Sequence, residues 1–410
     1  MRIIMRVTDS DSLSLRSGRE ASNTETLDYI PGRNVLGGLA EAHTLLRSNP
    51  VQFNKFFFSE DSTFGNLYPA LFIGDELQGN EDPVLPLPAT AVSCKRFAGF
   101  TFDEEDPLTN PHHGVYDTLI PWALFALSGE QRFDLLSGLR HCSHLSGCSE
   151  AIDRFDGFYR QNRWDARKIG KSNIRHGLRT RTGISRQTGA VAKGILYSRE
   201  TLGPCMTFWG NATVRTDQFE AFREFVQEAS AAAMVRFGNN RTRSMGKVVL
   251  DVDKASQEDT EDSLAERIQQ FNQAFQKQAL SANLTPHHAI YVPLTLISDV
   301  ILVDRLLRYQ TQIDTRYLQE VWGLHGGELV YQCNSTRSIM GWQGLLRLPR
   351  ADEIAITMGS VFLFSFAAPL DVQKISALLR LQEQGVGIRR REGFGSVIVA
   401  SPFHWEVKGQ

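Results

Sequence analysis

One arrangement occurs twice in this chain, and it restricts the fold more than any other feature. A helix-periodic stretch with Phe219, Phe222, Val226, Ala229 and Ala233 on one face leads into Gly238-Asn-Asn240-Arg241-Thr-Arg243-Ser-Met-Gly246, then into the apolar run Val248, Val249, Leu250. Near the end, Asp371 is a candidate N-cap for a helix whose stripe is Val372, Ile375, Leu378 and Leu379. That helix leads into Gly385-Val-Gly387-Ile-Arg389-Arg390-Arg391-Glu-Gly393-Phe-Gly395 and then Val397, Ile398, Val399. A helix, a Gly/Arg loop and a short strand, in that order and twice over, imply tandem homologous α+β domains.

Such loops suit a particular chemistry. Glycines reach φ > 0 and lack a Cβ, so consecutive backbone N–H groups can converge on a phosphate while interleaved arginines add forked, charge-assisted hydrogen bonds. The lysine-bearing P-loop pattern is absent, which argues against a nucleotide triphosphatase. A dinucleotide fold is also excluded, because its Gly-rich turn follows a strand and opens a helix, the reverse of the order here. In the first loop Asn239 and Asn240 stand where glycine is expected, and asparagine tolerates the left-handed conformation. That loop either contacts an anion or packs within the protein.

The charge distribution agrees with an anionic partner although the total does not. The 410 residues carry 44 Lys+Arg and 46 Asp+Glu, a formal −2. Between Arg160 and Lys193 there are ten basic residues and one acid, Asp165, which leaves 34 basic and 45 acidic residues and a formal −11 elsewhere. Arg175, Arg179, Arg181 and Arg186 are the centre of that basic segment. The molecule is therefore strongly polarised.

Upstream, Arg2 to Leu15 alternate as a strand does, and Pro31-Gly32-Arg33 form a turn that feeds a helix of about 14 residues, with Val35, Leu36, Leu39, Ala42, His43 and Leu46 at helical spacing. Gly37 and Gly38 lie inside it, each costing about 1 kcal/mol relative to alanine, so a neighbouring backbone or a ligand is expected to approach closely there. The expected division is a first domain over 1–253, a helical connector over 254–283 and a second domain over 284–410. Within the first, 85–160 reads as an insertion outside the core layers and 160–193 as the basic segment.

Five cysteines, at 94, 142, 148, 205 and 333, are too few for a disulfide framework and point to a reducing compartment. The insertion gathers Cys94, His112, His113, His141, Cys142, His144 and Cys148. Three thiolates and one imidazole make a closed tetrahedral zinc site, with Cys94, His113, Cys142 and Cys148 the preferred set; buried free cysteines beside surface histidines are the alternative. The start of the chain lacks a secretory h-region, and Ser298 and Asp299 break the longest apolar stretch short of a membrane span, so a soluble cytoplasmic protein is expected.

The GxGxRRxxGFGxV ending, the weaker copy at Gly238–Gly246 and the early YIPGRNVLGGLA turn-helix together resemble the RAMP superfamily of CRISPR–Cas effector proteins. RTGISRQTGAVAKGILYSRETL and GWQGLLRLPRADEIAITMGSVFLF further resemble type III subunits, in particular the III-D group related to the subunit that caps the 5′ end of the guide RNA. The resemblance implies tandem ferredoxin-like (RRM-like, βαββαβ) domains in a prokaryotic protein with no catalytic role. It implies a structural subunit that grips the 5′ handle of the guide RNA (crRNA) in antiviral defence, close to target RNA. It would contact the large polymerase/cyclase-like subunit and the filament backbone subunits. Carried over to matching positions, the RNA contacts are Pro31, Gly32 and Arg33 in the turn, Gly238, Asn240, Arg241, Arg243 and Gly246 in the first loop, and Gly385, Gly387, Arg389, Arg390, Arg391, Gly393 and Gly395 in the second. The basic segment would be a thumb-like hairpin along the strand.

The alternative is a metal-independent crRNA-processing endoribonuclease of the same superfamily, with a histidine activating a 2′-OH. His43 and His176 are its candidate bases, and His43 also fits the apolar stripe of the first helix. Asp165 is the candidate acid for target-RNA cutting, or else a partner for a neighbouring arginine.

Overall fold

The computed structural model describes the chain except residues 17–24, 71–83, 102–111, 145–146, 162–168, 240, 242–244, 256–258, 286–289, 344–347 and 408–410. Asp165, Asn240 and Arg243 lie outside the described residues.

A five-stranded and a four-stranded sheet share one order of four strands, the fifth strand of the first, Tyr68–Pro69, pairing beside Phe208 and Trp209. In the first half β1 (Arg2–Ser10), α1 (Gly32–Leu46), β2 (Thr63–Phe64), β3 (Phe208–Thr213), α2 (Phe219–Ala231) and β4 (Val248–Lys254) give the sheet order β4-β1-β3-β2. After α3 (Glu261–Ser281), the second half runs β5 (Ile290–Leu296), α4 (Thr315–Trp322), β6 (Gly327–Cys333), β7 (Val361–Phe366), α5 (Val372–Gln384) and β8 (Val397–Val399), with the order β6-β7-β5-β8. Numbered within each half, both are 4-1-3-2 βαββαβ sheets with antiparallel neighbours, the ferredoxin-like arrangement. The duplication expected from the two loops is present at the level of topology.

Local sequence explains the elements. Ile3, Met5 and Val7 alternate into the first core, and α1 begins directly after Pro31. The Asp371 side chain accepts the Lys374 N–H at 2.8 Å and caps α5, as the sequence predicts. Of the glycine pair in α1, only Gly38 is tight: a Cβ there would stand 2.7 Å from the Arg236 carbonyl oxygen, whereas at Gly37 nothing lies within 4 Å.

Two expectations change. The segment over 85–160 is no bystander. Its helix Leu119–Leu127 places Leu119, Ile120, Ala123 and Leu124 against Tyr291, Val361 and Leu363, on the face of the second sheet opposite α5. β7 is consequently buried along its whole length. Weak periodicity hid this layer because the helix is apolar almost all round and buried on several sides. Nor is α3 merely a connector: Leu264 and Ile268 enter one core of the second domain, and Phe271, Phe275 and Ala279 the other. Buried Asn272 fixes it by exchanging hydrogen bonds with the Tyr291 backbone, accepting N–H and donating to C=O, both at 2.8 Å.

Candidate nucleic-acid interface and metal centre

The protruding feature of the first domain is a two-stranded hairpin, His176–Ile184 paired with Val191–Leu202. Its register sorts the side chains. Leu178, Thr180 and Thr182 share one face with Glu200, Ser198 and Leu196, while Arg179 stands opposite Arg199 and Arg181 opposite Tyr197 on the other. Two guanidiniums stand directly across the ladder with Arg181 beside them, so this face of the hairpin is cationic. Arg179 donates to Ser12 Oγ at 2.9 Å, Arg181 reaches Met245 Sδ at 3.6 Å, and Arg175 donates to the Cys205 carbonyl oxygen at 3.0 Å. These contacts aim the arginine face at the corner between the hairpin and the first Gly-rich loop. Arg186 is exposed at the hairpin tip.

The Gly-rich loops are spent differently from the phosphate cradle expected of them. In the second loop the N–H groups of Gly385, Val386, Gly387, Ile388 and Gly395 bond to Leu381 O, Gly395 O, Tyr317 Oη, Ile301 O and Asp299 O. A Cβ on Gly387 would lie 2.3 Å from Ile301 O, and one on Gly395 2.0 Å from Val386 O. Glycine is needed here for backbone packing. Arg389, in the left-handed region at φ 59°, ion-pairs with Glu353 and Glu392 and covers the Phe394 ring at 4.8 Å. Arg391 donates to the carbonyls of Phe58 and Ser59, and Arg390 is exposed. The first loop packs likewise: a Cβ on Gly238 would meet Ser14 O at 2.6 Å and one on Gly246 Phe237 O at 2.4 Å, while Arg241 pairs with Glu41.

Between the halves lies a cavity of about 190 Å³. The Pro31 turn forms one wall and the second Gly-rich loop another. Asp299 organises it: one oxygen accepts the Met358 N–H at 2.9 Å, the other accepts Arg337 Nε at 2.8 Å, and Arg337 Nη2 donates to the Tyr29 hydroxyl at 2.7 Å. Burial raises the Tyr29 phenol to about 12 and keeps it neutral. Asn66 accepts the Gly32 N–H at 2.9 Å, and Arg33 donates to the Met340 carbonyl at 2.9 Å. Sequence reasoning missed Tyr29, Asn66, Asp299 and Arg337. The one available signal was Asp299, a lone acid in the longest apolar run.

The catalytic candidates separate. His43 is fully buried, with Nε2 3.1 Å from Gln52 Oε1 and the rings of Phe53, Phe56, Phe57 and Phe225 around it. No substrate reaches it in this packing. His176 is exposed at the hairpin base, with Glu200 Oε1 at 2.9 Å and Asp28 Oδ1 at 3.2 Å.

Cys94, His113, Cys142 and Cys148 converge: their ligand atoms all lie within 4.8 Å of one another. Cys142 Sγ is 3.3 Å from His113 Nδ1 and Cys94 Sγ is 4.0 Å from Cys148 Sγ. A tetrahedron with 2.3 Å metal–sulfur bonds has an edge of about 3.8 Å, so the donor set fits a metal ion. Burial and the neighbouring His144 and His112 lower the His113 pKa, leaving a neutral imidazole able to coordinate. His144 stacks on His113 at 4.1 Å, and His141 Nδ1 lies 3.2 Å from the Ser149 carbonyl oxygen.

A buried triad ties the insertion to the second domain. His404 Nδ1 is 2.5 Å from Asp117 Oδ2, and its Nε2 is 2.7 Å from Thr295 Oγ1.

No family model and no curated protein matches the chain. Among solved structures it is similar to a chain of the type III-B Cmr-beta complex bound to cognate target RNA, at 12% identity over 88% of this chain and 86% of that one, with a TM-score of 0.37. It is also similar to a chain of the Csm3–Csm4 subcomplex of the type III-A CRISPR–Cas interference complex (11%, 90% and 95%, 0.34) and to a Cas6 product complex (9%, 97% and 100%, 0.35). The two 4-1-3-2 sheets identify the chain as a tandem ferredoxin-like protein.

Proposed function

We propose that this chain is a guide-RNA-binding structural subunit of a type III CRISPR–Cas interference complex, gripping the 5′ handle and meeting the large polymerase/cyclase-like subunit and the filament backbone. The observation that carries RNA binding is the hairpin register, with Arg179 opposite Arg199 and Arg181 opposite Tyr197 on one face. Cations that follow a backbone, next to an aromatic ring on which a base can stack, suit a single strand. The handle and the partners come from the motif resemblance. The burial of His43 favours a role without catalysis. Isolating the protein from its native cells and sequencing the RNA that accompanies it is the direct test: handle-bearing guide RNA is expected, and a preparation free of RNA would overturn the reading.

His176, held by two carboxylates at the hairpin base, is the observation that favours the nuclease alternative. Metal-free cleavage of repeat RNA that disappears in His176→Ala would establish it.

We infer further that Cys94, His113, Cys142 and Cys148 hold a structural zinc ion. Three sulfur donors and one imidazole in a closed, largely buried set match that metal's preference. Metal analysis of the purified protein is expected to find about one zinc per chain, and a trace or less would remove the assignment.

A further inference from the structure

The four residues of the Cys/His centre differ in exposure. Cys94 is 0% exposed, Cys142 3% and His113 6%, whereas Cys148 is only half-buried, in a turn whose flanking residues Gly147 and Ser149 are exposed. A small solute therefore reaches one sulfur of the set and not the other two. A thiolate bound to a metal keeps lone pairs and remains a target for an electrophilic oxidant, and exposure decides which thiolate is met first.

The reachable sulfur has a second thiol beside it. Cys148 Sγ lies 4.0 Å from Cys94 Sγ. Two sulfurs on one tetrahedral ion need about that separation, and the same proximity is what a disulfide requires before it closes. Backbone hydrogen bonds also shape the turn: Cys142 N–H donates to the Glu150 carbonyl at 2.8 Å and Gly147 N–H to the His144 carbonyl at 2.9 Å. The centre is joined to the rest of the fold at both ends. Cys94 ends one strand of the small sheet, and His113 lies two residues before Val115–Asp117, the strand that leads into the helix Leu119–Leu127 packed on the second sheet.

We propose that this centre is an oxidation-sensitive clasp, in which hydrogen peroxide links Cys148 to Cys94 and releases the metal ion. Release of the ion rests on the zinc reading above; the bond between the two sulfurs does not. Cys148 Sγ attacks one peroxide oxygen, the O–O bond breaks, and the departing hydroxide takes a solvent proton to become water, leaving a sulfenic acid. Cys94 Sγ then attacks that sulfur, the S–O bond breaks, and a second hydroxide leaves and is protonated to water. Each thiolate gives up one electron, two protons come from solvent, and one peroxide becomes two waters. Cys142 and His113 are left as the only donors, too few for a closed site, and the small sheet loses its cross-link.

The test treats the purified full chain, freed of reductant, with a small excess of hydrogen peroxide. Released zinc is followed with a chromogenic chelator and disulfides are mapped by peptide mass spectrometry. About one zinc per chain is expected to leave as one Cys94–Cys148 disulfide forms, and dimedone added during the reaction is expected to tag Cys148 before Cys94 or Cys142. Cys148→Ser is expected to slow release about tenfold, since the remaining sulfurs are buried. Where that variant binds no zinc, the order of dimedone tagging in the wild type decides. Cys205, exposed and outside the centre, records that oxidant was present, and Cys205→Ser is expected to leave release unchanged. Oxidised Cys205 with zinc retained and no Cys94–Cys148 bond would overturn the clasp, as would a disulfide between any other pair. A chain that carries no zinc yet forms the Cys94–Cys148 bond would remove the metal reading and keep the sulfur pair, whereas one that carries none and forms no bond would remove both.

Discussion

Gly32, which opens the first helix, and Gly393, in the last Gly-rich loop, lie back to back. A Cβ on Gly32 would stand 2.9 Å from Gly393 Cα and 2.0 Å from Phe64 O, and one on Gly393 3.0 Å from Gly32 Cα. Two residues 361 positions apart thus set the spacing of the two domains at the mouth of the cavity.

Gly32→Ala and Gly393→Ala are each expected to destabilise the chain by about 2 to 3 kcal/mol, since the added methyl meets backbone that cannot rotate away. Gly393 also sits at φ 89°, a conformation a side chain resists. Gly37→Ala, with open space around it, should instead stabilise by about 0.5 to 1 kcal/mol. Urea unfolding of the three variants checks the contrast, and a destabilised Gly37→Ala would show that the α1 surface is covered.

Arg179→Ala is expected to weaken RNA binding more at low salt than at high salt and to change thermal stability by about 0.5 kcal/mol or less, because the hydrogen bond it loses to Ser12 is offset by removal of a like-charge cross-strand neighbour. Filter binding alongside thermal melts separates the two effects. Stability lost in step with binding would point to a packing role.

Treatment with a strong chelator, or replacing Cys94 or Cys142 with serine, should release the insertion first. β5 and β7 of the second domain keep their own pairing, whereas the strands Ala91–Cys94, Val115–Asp117 and Ile152–Arg154 form a separate small sheet around the cluster. Hydrogen exchange should rise over those strands before it rises over the second domain's sheet. Uniform exchange would mean that the two unfold as one unit.

His404→Leu leaves Asp117 buried without its partner and is expected to cost about 3 to 5 kcal/mol. The double variant His404→Leu with Asp117→Leu should recover part of that loss. Equal stability of the single and double variants in urea would show that the pair is not coupled.

Glu392 gives a pH dependence with a defined sign. Burial alone would raise its carboxyl, but Arg389 and Arg350 outweigh that and hold it below the ordinary glutamate value. Its contribution is therefore fully present above the unfolded pKa of about 4.5 and is lost as pH falls through the lower folded value. Thermal midpoints measured between about pH 6 and pH 3 should fall more steeply for the wild type than for Glu392→Gln. Parallel curves would mean that the carboxylate is unpaired in solution.

The duplication, the helix stripes, the Asp371 cap and the Cys/His set could be read from residue order, because each depends on short-range periodicity, turn chemistry or donor type. Three-dimensional packing decided the rest. It turned the insertion and α3 into core layers, since an element apolar on several sides shows no face until its neighbours are known. It also redirected the Gly-rich loops from cradling phosphate to passing backbone against backbone, and it paired Arg389 with Glu353, 36 residues away. Residue order places Arg33 in the turn; only the packing of two distant loops shows that its side chain donates to the Met340 carbonyl, 307 residues away.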